Sequence, residues 1–313
     1  MKKYVILPDV TCDLDAELRE KFGVVDYLPG YVNIDGEEIP TTLDWENISR
    51  EKFYATLGNK SHKVSSAPAS PEEYYQFFKK YADDGYDIIS MSISSKISST
   101  YGIAVGAADR IKADYPDCKI VCIDTLRMSG SFGLLLAYAC ELAGQGKSFD
   151  EVVEWIEINK HRVHQMGPID DLMFIARRGR ISTGKAFMGS LVGIKPMGDC
   201  NTDGYVSVLA KVKGIPKALE ATVAYIKRIA TDLENQYIFI MHSDREKYAN
   251  QLKALVEEKI NCKGVYVCDV FSGCGTNIGP GMIGAYFMGD PISEDNEKEK
   301  EALLAAIEDI SKK

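Results

Sequence analysis

Apolar and polar positions along this chain fall into short alternating units. Tyr4-Val5-Ile6-Leu7 is an apolar run that stops at Pro8-Asp9, the pattern of a buried strand running into a loop. Over residues 13–22 the apolar positions recur at helical spacing, and Gly23 ends the segment. Tyr31-Val32-Asn33-Ile34 runs into Asp35-Gly36, a dipeptide suited to a tight turn, so a small β-hairpin is expected near residues 24–41. Residues 46–57 read as a helix closed by Gly58.

The clearest alternation covers residues 71–143. Pro71 followed by Glu72 and Glu73 is a favourable helix start, and that helix is expected to run to Gly85. Residues 87–93 read as a strand, 94–100 as a hydroxyl-rich loop and 101–114 as an Ala-rich helix. A strand over 119–124 and a helix over 133–143 follow. Strand and helix alternating at this spacing predict a parallel sheet covered by helices. Ligands in such sheets bind beyond the carboxyl ends of the strands, which here means residues 8–11, 94–100 and 125–131.

Past Gly146 the alternation is less strict. Ser148 is placed to cap a helix from Phe149 to about residue 161. Strands are expected over 205–211, 237–241, 265–270 and 285–288, helices over 216–233 and 247–260, and a glycine-rich loop over 273–284. A charged tail with a terminal helix closes the chain. The fold class expected is α/β with two domains. Residues 1–147 form an N-terminal parallel-sheet α/β/α domain, and residues 148–313 a C-terminal α/β domain with a mixed sheet.

Composition narrows the function. At 313 residues, 45% hydrophobic and 27% charged, this is an ordinary globular chain long enough for two domains. A net charge of −9 argues against a general nucleic-acid binder, which needs a basic footprint. No stretch reaches the roughly 18 apolar residues of a membrane span, and the apolar run after Lys2-Lys3 is too short for a signal peptide. The eight cysteines are dispersed with no C-x-x-C pair. Together these features predict a cytoplasmic protein with reduced thiols and no stable membrane insertion. With four histidines, a Cys/His metal site has few possible ligands, and neither a metal nor a cofactor is expected.

Two near-motifs fail on context. Gly179-Arg-Ile-Ser-Thr-Gly184-Lys185-Ala186 nearly spells a phosphate-binding loop, but Ala186 takes the place of the hydroxyl that would hold Mg²⁺. Gly279-Pro-Gly281-Met-Ile-Gly284 fits G-x-G-x-x-G, yet strand rather than helix is expected after it. There is no G-x-S-x-G elbow and no H-E-x-x-H, and no residue is singled out as catalytic. What remains is a set of hydroxyl clusters: Ser65-Ser66 before Pro68, Ser94-Ser95, Ser98-Ser99-Thr100, and Ser129 with Ser131. Neutral donors of this kind suit a carboxylate or phosphate head group. They serve equally as turns and helix caps.

These clusters, in this order, resemble the DegV family of bacterial fatty-acid-binding proteins. Pro8-Asp9-Val10-Thr11-Cys12-Asp13 is similar to the family's D-S-T-x-D, with Val10 in the Ser position. Ser65-Ser66-Ala67-Pro68 is similar to its T-S-x-P, with Ser65 in the Thr position; if Ala69 is an insertion, the role falls on Ser66. Residues 93–101 resemble S-S-x-L-S-G-T-Y, with Ser98 in the Ser position and Ser99 replacing Gly. Asp124-Thr125 with Ser129-Gly130 matches the next loop, and residues 172–182 resemble L-x-x-G-G-R-I-S with Arg178 replacing the first Gly. Ile194-Lys195-Pro196 and Gly279-Pro280-Gly281 match as well.

The resemblance implies one long-chain fatty acid in a buried tunnel, presented to a separate fatty acid kinase that phosphorylates it. The chain itself would be the lipid-presenting subunit and not an enzyme. The implied carboxylate contacts are Ser65, Ser66, Ser98, Ser99, Asn277 and Gly279. Arg178, Arg180, Lys211 and Lys213 are the implied phosphate or partner contacts. Burial of a sixteen-carbon tail offers on the order of 10 kcal/mol before ordering costs, so neutral donors suffice for the head group. Asn277 stands where the family often carries His in T-H-x-G-P-G, and Lys211-Val212-Lys213 where K-V-R is common. Asn cannot titrate, and Lys keeps the charge without bidentate geometry. Two other readings compete on the same scaffold: a small-molecule kinase-like enzyme and a lipid-dependent sensor.

Overall fold

The computed structural model describes residues 3–181 and 193–312. In the first half, β1 (Tyr4–Pro8), α1 (Ala16–Phe22), β2 (Tyr31–Ile34), β3 (Glu37–Pro40), α2 (Arg50–Gly58) and β4 (Val64–Ala67) come first. They are followed by α3 (Pro71–Asp83), β5 (Asp87–Ser92), α4 (Thr100–Asp114), β6 (Ile120–Asp124) and α5 (Gly130–Gly144). The second half holds α6 (Phe149–Asn159), β7 (Val163–Met166), α7 (Leu172–Arg177), β8 (Ile194–Cys200), β9 (Val206–Lys213) and α8 (Ile215–Ile229). It ends with β10 (Tyr237–His242), α9 (Glu246–Lys259), β11 (Gly264–Asp269), α10 (Ser272–Ile278), β12 (Ile283–Met288) and α11 (Glu297–Ser311).

The α/β class with a parallel and a mixed sheet is as the patterning indicates. In the first half β1, β5 and β6 form a parallel sheet in the order β1-β5-β6. In the second, the order is β11-β10-β12-β7, with β10 and β11 parallel and β12 antiparallel to both β10 and β7. Local signals explain the helix starts. Ser70 with Glu73 and Ser148 with Glu151 form complete capping boxes on α3 and α6.

Several elements differ from the pattern-based expectation, each for a physical reason. The hairpin is a three-stranded antiparallel sheet, because β4 pairs with β2 in the register Val32↔Ser66 and Asn33↔Ser65. Val-Ser-Ser-Ala has almost no apolar alternation, so nothing local marks it as a strand. β7 and β8 are likewise unannounced; β8 is interrupted by Lys195, Gly198 and Asp199. The expected loop over 273–284 contains α10. Gly275 lowers its helix propensity, but a Cβ there would lie 2.7 Å from the Tyr54 hydroxyl and 3.0 Å from Phe53, so close packing requires the glycine.

α5 joins the two halves. Ten of its fifteen residues are buried, as expected of a helix that is apolar all round. A Cβ on Gly130 would meet the Tyr286 ring at 2.5 Å, and one on Gly133 the Cys12 carbonyl oxygen at 2.4 Å. One continuous core therefore runs from Ile6, Ile89 and Met91 through Phe132 and Leu135 to Phe239, Met241 and Tyr286.

Candidate functional site

Where the two halves meet, a cavity open at one side is lined by residues of both. Its walls come from the end of β1, the segment before β2, β4, the loop before α4, the start of α5, β7, α10 and β12. These include all three segments at the carboxyl ends of the N-terminal parallel strands. Apolar side chains dominate, among them Leu28, Ile93, Ile97, Ile169, Ile175 and three methionines, Met128, Met166 and Met282.

The rim is polar. Asn277 Nδ2 donates to Ser66 Oγ at 2.9 Å and so ties α10 to β4. Ser98 Oγ lies 2.7 Å from Thr100 Oγ1 and accepts from the Thr100 N–H at 3.3 Å. That hydroxyl thus serves the start of α4 and also lines the cavity. Ser99, exposed, is the cap residue of α4 and makes no side-chain capping bond. The first N–H groups of this fifteen-residue helix give the rim a positive bias. Arg180 lines the cavity with its Nε donating to the Ile97 carbonyl at 3.2 Å and its Nη1 to the Arg178 carbonyl. It couples its own turn to the loop that carries Ser98.

Of the sequence-derived residues, Ser66, Ser98, Ser99, Asn277 and Arg180 line this cavity. Ser65, Gly279, Arg178, Lys211 and Lys213 are not among its lining residues. Ser65 and Ser66 are successive residues of a strand and point to opposite faces. Gly279 ends α10 at φ 79° behind the Phe174 ring, 2.7 Å from where a Cβ would lie. The Arg178 guanidinium sits 5.3 Å from the same ring, and burial with its neighbours Arg180 and Arg177 lowers its pKa. Lys211 and Lys213 belong to β9, where Lys213 pairs with Ile194. Ser182 and residues 183–186 of the near phosphate loop lie outside the described residues.

Behind the wall, two buried aspartates hold the frame. Asp9 accepts from the Thr11 N–H at 2.9 Å and the Ile93 N–H at 3.0 Å, locking the ends of β1 and β5 together. Burial raises its pKa against those bonds. Asp13 sits at φ 50° and accepts from Ser129 Oγ at 2.5 Å and the Phe271 N–H at 3.0 Å. Burial pushes its carboxyl up to about 8. Both acidic positions of the opening motif are thus structural junctions. Pattern reading did not single out Gln165, Met128, Tyr74 or Tyr286 as lining residues. They reach the cavity only through strand pairing and helix packing, and no local motif marks them.

Cys274 in the wall has its thiol held well above its ordinary pKa by burial, which makes it a poor nucleophile. His164 is packed between Asp199, 2.7 Å from Nδ1, and the Asp290 carbonyl, 2.8 Å from Nε2. His242 faces Asp269 at 3.4 Å. Neither histidine is among the cavity residues. Among the described residues no three His, Cys, Asp or Glu side chains group to hold a metal ion, and no helix is long and apolar enough to cross a membrane.

An apolar cavity with a rim of neutral donors, set between two α/β halves, defines a class of small-molecule-binding α/β protein. The chain belongs to the DegV family: residues 3–290 match the model of the family described as uncharacterised protein, DegV family. A DegV domain-containing protein of Clostridium perfringens is 31% identical over 93% of this chain and 99% of its own length. A DegV family protein from Thermus thermophilus, reported for fatty acid binding, shares the fold at a TM-score of 0.82 and 23% identity. That match covers 92% of this chain and 100% of the other. The Streptococcus pneumoniae fatty acid kinase B3 protein, solved loaded with linoleic acid, shares it at a TM-score of 0.77 and 20% identity, over 92% and 100% of the two chains.

Proposed function

We propose that this protein is a cytoplasmic carrier that binds one long-chain fatty acid in the cavity and presents the carboxyl group at the rim to a separate fatty acid kinase. The observation that carries this reading is the division of the cavity into an apolar interior and a rim of neutral donors at Ser66, Ser98, Ser99 and Asn277. The tail supplies affinity by apolar burial, at about 0.8 kcal/mol per CH₂ before ordering costs. The rim satisfies the carboxylate, with the start of α4 adding a favourable field. Ser66 takes the head-group role over Ser65, because its side chain is the one on the cavity side of β4. Arg180 is the phosphate or partner contact; Arg178, Lys211 and Lys213 contribute at most a long-range positive field.

Native mass spectrometry of the purified protein tests this directly. A co-purified C14 to C18 acid at one per chain is the expected result. A protein that takes up no such acid would overturn the reading. For the hand-over, Arg180→Ala is expected to retain most lipid binding and to lose acyl-phosphate formation with a purified fatty acid kinase. Full turnover by that variant would remove Arg180 from the role.

A further inference from the structure

The wall of the cavity carries one polar group that the fatty-acid reading leaves idle. Gln165 lies on β7 in register with Tyr286 of β12. Directly opposed residues of an antiparallel pair put their side chains on the same face. The face is fixed by the neighbours. His164 and Phe287 stack on the other side, where Met166 and Ala285 also pack into the second core. Tyr286 instead packs over Gly130 of α5 and lines the cavity. Gln165 shares that face and lines the cavity too.

Its backbone N–H is used, donating to Asp199 Oδ1 at 2.8 Å. Its side-chain amide has no hydrogen-bond partner among the described residues. The other polar side chains of the inner wall are engaged: Thr11 with Asp9, Thr41 with the Gly30 N–H, and Ser129 with Asp13. Gln165 itself is half-buried, beside the buried Val163 and Met166, whereas Ser66 and Ser99 at the rim are exposed. An occupant that covers this amide without meeting it leaves its hydrogen bonds unmade, which is unfavourable. A plain hydrocarbon tail cannot meet it.

We infer that the cavity is selective for fatty acids bearing an oxygen function, a hydroxyl or keto group, along the chain, and that Gln165 is the residue that reads it. The inference rests on the fatty-acid reading above. The amide offers both a donor and an acceptor, so it serves a hydroxyl in either sense and a keto oxygen through its NH₂. Met128 and Met282, which also line the cavity, give the wall the adaptable surface that chains of different shape require.

Competition against a fluorescent fatty acid tests this, with stearic acid set beside 9-, 10- and 12-hydroxystearic acids. At least one hydroxy acid is expected to bind about threefold to tenfold tighter than stearic acid, the range of one neutral hydrogen bond. In Gln165→Met, close in volume, that preference is expected to vanish or reverse while stearic acid binding holds or improves. Gln165→Leu provides a second apolar replacement, and a melting curve of each checks folding. If wild type binds stearic acid and prefers none of the hydroxy acids, the inference fails and the carrier reading stands. Equal losses for stearic and hydroxystearic acids in Gln165→Met would mean that Gln165 meets the carboxylate, which also overturns it. If no acid binds wild type, the carrier reading fails and this inference with it.

Discussion

The two ends of the cavity are built by opposite rules. At the rim, Ser66, Ser98, Ser99 and Asn277 are neutral and partly or fully exposed; Ser66 and Asn277 bond to each other and Ser98 bonds to the start of α4, while the Ser99 side chain makes no capping bond. At the inner end, Ser129 and Tyr286 in the wall and Asp13 and Gly130 packed behind it are buried, and each touches a neighbour from a distant part of the chain. The rim can exchange its partners for those of a ligand at little cost to the fold. The inner end cannot, because Asp13 alone joins the first loop to the start of α5 and to the residue before α10. The proposed binding chemistry therefore sits where the scaffold is least committed, and rigidity sits where the halves are locked together.

The sharpest way to break this contrast is at the inner end. Gly130→Val would drive a branched side chain into Tyr286 and Met241, 2.5 and 2.6 Å from the first added carbon. The expected loss is about 3 kcal/mol of stability, read as a lower denaturant midpoint. An unchanged midpoint would show that the joint between the halves is soft. Next comes Ser98→Ala at the rim. It is expected to weaken fatty-acid binding by about 1.5–3 kcal/mol, the value of a hydrogen bond to a charged group, and more than Ser94→Ala does. Displacement of a fluorescent acid measures it. Equal affinity for Ser98→Ala and wild type would remove the hydroxyl from the site. Because the same hydroxyl serves the start of α4, a small fall in melting temperature is expected as well.

The inner end also titrates. Asp13 has its folded pKa raised to about 8 from an ordinary carboxyl value, so the folded state holds a proton that the unfolded chain has lost. Its contribution to stability is full below about pH 4, falls as pH rises towards 8 and is constant above that, with a slope of at most about 1.4 kcal/mol per pH unit. His164 acts in the same direction: its pKa is raised beside Asp199, so its contribution is lost as pH rises past its folded pKa. Urea unfolding between pH 5 and 7.5 should therefore show wild type losing stability more steeply than Asp13→Asn. Parallel curves would mean that Asp13 is ionised in the folded protein. The smallest effects belong to the rim. Asn277→His is expected to keep lipid affinity within a few-fold and to raise use by a fatty acid kinase; no gain in acyl-phosphate would make Asn277 an adequate substitute. Ser65→Ala should change neither stability nor binding by more than about 0.5 kcal/mol, and a clear loss of affinity would return the head-group role to Ser65.

By itself the sequence determined the parallel unit. β1, β5 and β6 are apolar runs with turn residues at their ends, and α3 and α6 start at Ser-Pro-Glu-Glu and Ser-Phe-Asp-Glu because capping chemistry is local. It also determined which loops carry hydroxyls, Ser66, Ser98 and Ser99 among them, since those residues stand beside one another in the chain; Asn277 came only from the resemblance to the family's G-P-G loop. Tertiary structure alone decided the rest. β4 is a strand only because β2 offers it hydrogen bonds, and that pairing separates Ser66 from Ser65. α10 is a helix only because Gly275 lets it close on Tyr54 and Phe53. Arg180 comes to the cavity while Arg178 turns to Phe174, a choice made by packing between residues that are near-identical in sequence. Gln165 faces the cavity because its strand pairs with β12, more than a hundred residues further along the chain. Short-range hydrogen bonding and periodicity are written in neighbouring residues; the face a side chain presents, and whether water or an acyl chain meets it, is settled by partners that only folding brings near.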